Sequence, residues 1–176
     1  MKPDEDPTGR DIRNFQRVSD RLFRGGRPSR ADLARLKALG VRTIVDLRWL
    51  GRVSRLEEEQ AHELGLRYYR IPMGHWTGPR EEAMTRVLEI LADPESGPVY
   101  VHCRRGCDRT GAVIACYRIL IENWDAERAI AEARSFGMRI TEVPKRAFIR
   151  RFFRARREAR ARQAGSPGET RGGVRS

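Results

Sequence analysis

A segment in the middle of the chain combines a cysteine with arginines and glycines at a spacing that suits the chemistry of phosphate groups. It reads His-Cys-Arg-Arg-Gly-Cys-Asp-Arg-Thr-Gly over residues 102–111. A short loop joins Cys103 to Arg109. The loop can fold back so that the planar guanidinium lies beside the sulfur and holds two oxygens of a phosphate group. Gly106 supplies backbone angles that let the loop amides point inward. These residue types predict a nucleophilic cysteine beside an anion-binding loop.

The elements on either side of this segment are expected to bring its groups to one point. Val99–His102 has the character of a short central strand, and residues 112–121 have the character of a buried helix. Unpaired amides and the helix dipole converge where a strand passes through a tight loop into a helix, which favours an anion. The same surroundings favour a thiolate near neutral pH, although a free cysteine has a pKa of about 8.5.

The rest of the pattern alternates helices with strands, which indicates an α/β sandwich. Ser29 and Asp32 form a capping-box pattern that opens a helix ending at Gly40, and a β-branched run follows at once. Apolar residues at helical spacing mark the other helices. The predicted strands cover residues 15–18, 22–26, 41–47, 66–72 and 99–102, and the predicted helices cover residues 29–40, 54–64, 79–92, 112–121, 125–137 and 143–163.

Length and composition favour a single domain. The chain has 176 residues, of which 39% are hydrophobic, enough for one core. Three cysteines are too few for a disulfide framework, so we expect a reducing, cytoplasmic location. The apolar stretches are shorter than the roughly 20 residues of a membrane span, and the polar N-terminus lacks the apolar region of a signal peptide. We predict a disordered tail over residues 1–11 and a catalytic domain over 12–155, with a basic, partly disordered extension over 156–176.

Positive charge is concentrated near the C-terminus. From Lys145 to Ser176 the chain has eleven Lys or Arg against two Glu, so most of the net charge of +12 lies there. Such a segment leaves open weak contact with anionic lipid or nucleic acid. The simpler interpretation is a solvated, arginine-rich helix without a dedicated partner. The sequence otherwise indicates a monomer.

The central motif closely resembles the signature of cysteine-dependent protein tyrosine phosphatases. The stretches Leu-Phe-Arg-Gly-Gly-Arg-Pro-Ser (22–29), Leu-Gly-Val-Arg-Thr-Ile-Val-Asp-Leu-Arg (39–48) and Tyr-Arg-Ile-Pro (69–72) extend the likeness to small, atypical dual-specificity phosphatases of bacteria, fungi and plants. The resemblance covers roughly residues 15–155. It implies an α/β fold in three layers, with helices on both sides of a mixed, mostly parallel sheet of four or five strands.

The resemblance also implies roles for individual residues. Cys103 corresponds to the nucleophile that forms a cysteinyl-phosphate, and Arg109 to the residue that binds substrate and stabilises the transition state. Thr110 corresponds to a hydroxyl that assists the thiolate, and His102 to a side chain that orients the loop from behind. The backbone from Arg104 to Arg109, which includes Arg105, Gly106 and Cys107, corresponds to the phosphate cradle. The family requires neither a metal nor another cofactor.

The sequence departs from the family pattern at the general acid. The family usually carries an aspartate on a loop well before the cysteine, but residues 73–79 read Met-Gly-His-Trp-Thr-Gly-Pro. Asp108 is the first substitute, because the same aspartate occurs in the signature of myotubularin-like and some bacterial lipid-acting phosphatases. His75 is the second, and Glu81 or Glu82 the third. An enzyme without a dedicated acid is the remaining alternative.

Several of these residues also have structural interpretations. Asp108 could hold the loop at the start of the helix, and His75 with Trp76 could cover the pocket wall. Cys107 could be a small filler or form a reversible disulfide with Cys103. Cys116 is expected to occupy a core position. Asp46 and Arg48 could form an ion pair or lie on the pocket rim. A zinc site at His102, Cys103 and Cys107 is a further alternative, for which the spacing is poor.

These observations predict a metal-independent phosphatase acting on phosphotyrosine, and also on phosphoserine and phosphothreonine, in proteins. The alternative substrates are phosphoinositides or inositol polyphosphates, since extra guanidinium groups in the loop favour polyanions. A phosphorylated RNA end is a third substrate. A non-catalytic phosphate-binding module is the alternative from another class of protein.

Overall fold

The computed structural model describes residues 12–164, and its five strands form one mixed sheet. The strands are β1 (Gln16–Ser19), β2 (Leu22–Gly25), β3 (Thr43–Asp46), β4 (Arg67–Arg70) and β5 (Val99–His102), in the order β1-β2-β5-β3-β4. β1 and β2 pair antiparallel, and the other neighbours pair parallel. The predicted mixed, mostly parallel sheet is confirmed, with β5 at its centre.

Six helices cover the two faces of the sheet. They are α1 (Arg30–Ala38), α2 (Arg52–Glu63), α3 (Glu81–Ala92), α4 (Asp108–Ile121), α5 (Ala126–Ser135) and α6 (Val143–Ala164). One apolar cluster packs α1 and α2 against one face of the sheet. A larger cluster packs the four helices from α3 through α6 against the opposite face. The predicted three-layer arrangement is therefore confirmed. Within the described range, no helix combines the length and apolarity needed to cross a bilayer.

The two-residue period of the strands decides which face each polar side chain reaches. Tyr100 packs with α1 and α2 while Val101 packs with the other cluster, so His102 points toward α2. Asp46 pairs in register with His102 on the neighbouring strand and points the same way. Arg24 pairs with Val101 and points toward α4. Three buried polar residues thus lie at the carboxyl ends of the parallel strands, directly behind the segment that follows β5.

Most element boundaries differ from expectation by one to four residues, the largest shift being the start of α4 at Asp108, and two differences are informative. α2 begins at Arg52, earlier than predicted, because the Ser54 hydroxyl caps the helix from inside its first turn by accepting from the Gly51 amide at 3.0 Å. α6 continues without a break from the predicted domain into residues 156–164 of the predicted extension. The predicted N-terminal tail and the extension beyond residue 164 lie outside the described residues.

Candidate active site

The loop between β5 and α4 has the predicted strand–loop–helix setting, since β5 ends at His102 and α4 begins at Asp108. Gly106 adopts φ of +74°, in the left-handed region that favours glycine. A Cβ at this position would lie 2.6 Å from the carbonyl carbon of Gly25 and 2.7 Å from the amide nitrogen of Gly26. The loop can therefore close onto the end of β2 only because residue 106 is glycine.

Cys103 opens this loop, and its thiol is almost fully buried. Burial disfavours the thiolate, but hydrogen bonding from Thr110 and the charge of Arg109 outweigh burial, so the pKa of the Cys103 thiol is lowered. The Thr110 hydroxyl is buried and has no hydrogen-bond partner elsewhere among residues 12–164, which leaves it available to the sulfur. A cysteine in these surroundings is a nucleophile near neutral pH.

Arg109 lies in the first turn of α4 and is also largely buried. Its Nη1 donates to the carbonyl oxygen of Leu47 at 3.3 Å. Because Leu47 directly follows β3, the guanidinium spans from α4 to the neighbouring strand end. This anchor leaves other N–H groups of the fork to hold two phosphate oxygens beside Cys103.

His102 lies at the end of β5, directly before the loop, and its ring contacts both the loop and α2. Its Nδ1 lies 3.2 Å from the carbonyl oxygen of Cys103, and its Nε2 lies 2.8 Å from Oε1 of Glu57 on α2. Burial favours the neutral imidazole, but the negative charges of Glu57 and Asp46 outweigh burial and raise the pKa of His102. Sequence reasoning missed Glu57, because a glutamate on an amphipathic helix gives no local signal that it reaches a strand end.

Asp46 and Arg48 form an ion pair behind the loop and do not line a pocket rim. Arg48 donates from Nε to Asp46 at 2.7 Å and from Nη2 to Glu57 at 2.7 Å. The Tyr68 hydroxyl donates to Asp46 at 2.8 Å and lies 3.0 Å from Glu57. Of the two roles that the sequence left open for this pair, the contacts therefore favour the structural one.

The same contacts bear on metal binding. Within the described residues, the cluster with metal-ligand geometry is Asp46, Glu57 and His102, and not the combination of His102, Cys103 and Cys107 considered from sequence. Both carboxylates of this cluster are already paired with Arg48 and Tyr68. The donor set therefore fits a buried ion-pair network rather than a cation site.

Asp108 connects the catalytic loop to the segment between α5 and α6. Its Oδ2 lies 3.3 Å from Nη2 of Arg105, and its Oδ1 accepts from the amide of Arg139 at 3.3 Å. The carboxylate thus has the loop-holding contacts that sequence reasoning left open. Arg105 is half-buried in this pair, whereas the side chain of Arg104 is exposed. Nothing in these contacts assigns the acid role, which stays a prediction.

The other acid candidates occupy different places. His75 is exposed and its ring packs edge-on against Trp76, with centroids 4.6 Å apart. Desolvation and the positive charge of Arg109 lower the pKa of His75, so a smaller share of the imidazole is in the protonated form that acts as a general acid. Glu81 pairs with Arg151 of α6 at 3.4 Å, which directs it away from the loop.

The other two cysteines are unlike Cys103. Cys107 accepts from the Asn14 amide at 3.0 Å, and Gly137 packs so closely that a Cβ there would lie 3.3 Å from its sulfur. Burial and nearby negative charge raise the pKa of Cys107, and burial raises that of Cys116 within the core. All three thiols are free, so the Cys103–Cys107 disulfide stays a prediction.

Arg24 is a site residue that sequence reasoning missed. It is fully buried on β2, and its Nη2 donates to the Gly106 carbonyl at 2.7 Å while its guanidinium lies 4.2 Å from the centre of the Phe136 ring. Burial lowers the pKa of Arg24 to about 10. The sequence feature that could have identified Arg24 is a charged residue inside an otherwise buried strand, two positions after Leu22. Arg24 fixes the underside of the loop and adds positive charge near Cys103.

The thiol pKa values give a testable order of reactivity. We expect iodoacetamide to alkylate Cys103 at a lower pH than Cys107 or Cys116, because only the pKa of Cys103 is lowered and the thiolate is the reactive form. Peptide mass spectrometry after timed alkylation across a pH series measures this, and inorganic phosphate is expected to protect Cys103. Equal pH midpoints for Cys103 and Cys107 would contradict the expected order.

The fold and this loop together define a cysteine-dependent phosphatase site. A family model described as "DSP-PTPase phosphatase fused to NAD+ Kinase" matches residues 6–151. The chain therefore belongs to this family of dual-specificity-type protein tyrosine phosphatases.

Two curated relatives represent different substrate classes. The dual specificity protein phosphatase TpbA of Pseudomonas aeruginosa is 29% identical over 130 residues, which cover 70% of this chain and 55% of TpbA. The inositol diphosphatase DSP2 of Oryza sativa subsp. japonica is 31% identical over 149 residues, which cover 74% of this chain and 69% of DSP2. The chain thus spans little more than half the length of TpbA.

Solved structures share the fold. The crystal structure of P. aeruginosa TpbA has a TM-score of 0.66 and 28% identity, covering 86% of this chain and 94% of that one. The core catalytic domain of the PP-IP phosphatase SIW14 from S. cerevisiae has a TM-score of 0.71 at 24% identity, covering 87% of this chain and 93% of that one. The small dual-specificity-like fold expected from sequence is confirmed.

Proposed function

We propose that the protein hydrolyses phosphate monoesters through a cysteinyl-phosphate intermediate. The observation that supports this most strongly is Cys103, with its lowered pKa, beside Arg109 at one end of the loop. The thiolate attacks phosphorus, so the sulfur–phosphorus bond forms as the ester oxygen–phosphorus bond breaks. Water then attacks phosphorus, which releases inorganic phosphate and restores the thiolate. Arg109 and the loop amides stabilise the charge on the equatorial oxygens in both steps.

We further propose Asp108 as the general acid. It is buried at the start of α4, next in sequence to Arg109. His75 is a weaker candidate because it is exposed and packs against Trp76 on another segment, and Glu81 is engaged with α6. In the first step Asp108 gives its proton to the leaving oxygen, and in the second the carboxylate accepts a proton from the attacking water.

The charge around the site favours polyanionic substrates such as phosphoinositides and inositol polyphosphates. We call the catalytic loop, residues 103–109, together with residues 47–56, 71–80 and 136–143 the active-site face; Leu47 and Arg139 are hydrogen-bonded to Arg109 and Asp108 at the end of the loop. The face has two carboxylates, Asp108 and Glu142, and both are buried in ion pairs. Arg104 is exposed in the loop itself. Phosphotyrosyl proteins, which the sequence predicted first, are the second candidate substrate, because a relative of similar identity is a dual specificity protein phosphatase.

A substrate panel with Arg104→Ala separates these two classes. We expect the substitution to lower kcat/KM for an inositol polyphosphate by about tenfold, the order of one charged hydrogen bond, and to change turnover of a phosphotyrosyl peptide much less. Phosphate release measures both. Arg86→Ala, which removes an exposed guanidinium from α3, is the matched control. A larger loss on the peptide than on the polyphosphate would favour the protein substrate instead.

A further inference from the structure

Exposed apolar side chains gather on the active-site face. Within residues 12–164, eight large hydrophobic side chains are exposed, and seven of them belong to this face. Ile121, at the end of α4, is the eighth. A cluster of this kind on the outside of a globular domain marks a surface that meets an apolar partner. The seven are Trp49, Leu50, Val53, Leu56, Trp76, Ile140 and Val143.

The topology brings these side chains to one edge of the molecule. The segments carrying the two tryptophans follow the carboxyl ends of the parallel strands β3 and β4, beside the end of β5. Trp49 lies two residues beyond Leu47, whose carbonyl accepts from Arg109. The segment with Ile140 is tied to the catalytic loop by the hydrogen bond from the Arg139 amide to Asp108. Two of the connections that carry these side chains are therefore joined by hydrogen bonds to the start of α4, where the catalytic loop ends.

The exposed charged side chains of the active-site face are arginines. Arg52, Arg55, Arg80 and Arg104 are exposed among the apolar side chains. The two carboxylates of the face are buried in ion pairs, although the whole chain has 24 Asp and Glu. Exposed tryptophan and aliphatic groups mixed with arginine suit the interface of an anionic bilayer, and the exposed carboxylates Glu59, Glu81 and Glu82 lie directly beyond the ends of two segments of the face.

We propose that the active-site face docks on an anionic lipid bilayer and presents Cys103 to phosphate monoesters on lipid head groups. The head-group chemistry rests on the proposed function, but the docking itself requires no turnover. Five of the seven apolar side chains, Leu50, Val53, Leu56, Ile140 and Val143, are aliphatic and offer no ring for stacking on nucleic-acid bases. The acyl boundary of a bilayer accepts them together with the two tryptophans.

The basic end of α6 is a separate surface. α6 starts beside the active-site face at Val143 and contains 22 residues, so its end lies about 30 Å away at the usual helical rise. Arg154 and Arg157 are exposed along this distal part. Electrostatic attraction through α6 and docking through the active-site face can therefore be separated by substitution.

Vesicle co-sedimentation of the full chain, with Cys103→Ser to prevent turnover, tests the proposal. We expect binding to phosphatidylcholine vesicles containing phosphatidylglycerol, and much weaker binding to phosphatidylcholine alone. Trp49→Ala with Leu50→Ala is expected to weaken binding about tenfold or more, since two apolar side chains lose their insertion. Ile121→Ala, an equally exposed apolar site far from the face, is the matched control and is expected to bind like the parent protein.

Tryptophan fluorescence gives an independent readout on an otherwise intact protein. Trp124 packs between Arg118 and Arg128, and Trp124→Phe leaves Trp49 and Trp76 as the emitters. Anionic vesicles are expected to shift their emission to shorter wavelength, because the indole rings enter a less polar region. An unchanged spectrum at vesicle concentrations that bind the protein would overturn the proposal.

Other outcomes also overturn it. One is unchanged binding by the Trp49/Leu50 variant, and another is loss of binding only in Arg154→Ala with Arg157→Ala. Binding to RNA or a phosphoprotein through the same tryptophans, without vesicle binding, assigns the face to a different partner.

Turnover of a soluble aryl phosphate, measured with Cys103 present, is expected to survive Trp49→Ala with Leu50→Ala. If wild type lacks that turnover, the proposed function fails while the docking result stands.

Discussion

Replacing Cys103 by serine is expected to lower kcat/KM on an aryl phosphate by at least about 10⁴-fold, the order of loss when a hydrolase loses its covalent nucleophile. The serine hydroxyl keeps the size of the side chain. It does not ionise near neutral pH, however, and the Thr110 and Arg109 contacts that lower the thiol pKa cannot make it a comparable nucleophile. Phosphate release by the two proteins measures the effect.

Cys107→Ser is the matched control, because it changes another thiol of the same loop whose pKa is raised. Its turnover is expected to stay within a few-fold of wild type. Acid-quenched wild type is expected to carry a phosphoryl group on the peptide that contains Cys103, as seen by mass spectrometry. A phosphorylated Cys107, or equal losses in the two variants, would assign the nucleophile elsewhere.

Asp108→Asn is expected to lower kcat by about 10²–10³-fold on alkyl phosphates and only a few-fold on an aryl phosphate with a good leaving group. A general acid contributes this much only where the leaving oxygen needs a proton. Asparagine can still accept from the Arg139 amide, which holds the carboxylate at 3.3 Å, so the loop contact is retained. Turnover of a series of esters with increasing leaving-group pKa measures the effect.

His75→Gln separates the two acid candidates. It is expected to leave the dependence on the leaving group unchanged, because His75 is exposed and packs against Trp76 outside the catalytic loop. If Asp108→Asn lowers turnover of all esters equally, its effect is structural and the acid lies elsewhere. If His75→Gln steepens the dependence on the leaving group, histidine is the acid.

The membrane proposal and the polyanion proposal meet at the same face. Arg104 is exposed inside the catalytic loop, and the exposed tryptophans lie on the connections after β3 and β4. A phosphorylated head group at a bilayer surface contacts both. A freely diffusing inositol phosphate contacts only the arginines, so the effects of Trp49 and Leu50 substitutions on vesicle-bound and free substrates distinguish the two sources.

Local sequence patterns predicted most of the fold and the residues at the centre of the site. The capping box at Ser29 and Asp32 fixes the start of α1, and the strand, glycine loop and helix around Cys103 are contiguous in sequence. Such features depend on neighbours in the chain, and short-range hydrogen bonding and backbone conformation determine them. The residue types and spacing of Cys103, Gly106 and Arg109 are therefore enough to indicate their chemistry.

Contacts between distant parts of the chain determined the remaining features of the site. Arg24 meets Gly106 across 82 positions, and Glu57 reaches His102 from a helix in which the sequence identified no site residue. Trp49 and Trp76 lie on the connections that follow β3 and β4, and the sheet order places those strands on the same side of β5. The sequence by itself determined the reactive loop, because its groups are close along the chain. The tertiary structure decided what supports and surrounds that loop, because sheet order and helix packing alone bring remote side chains within contact distance.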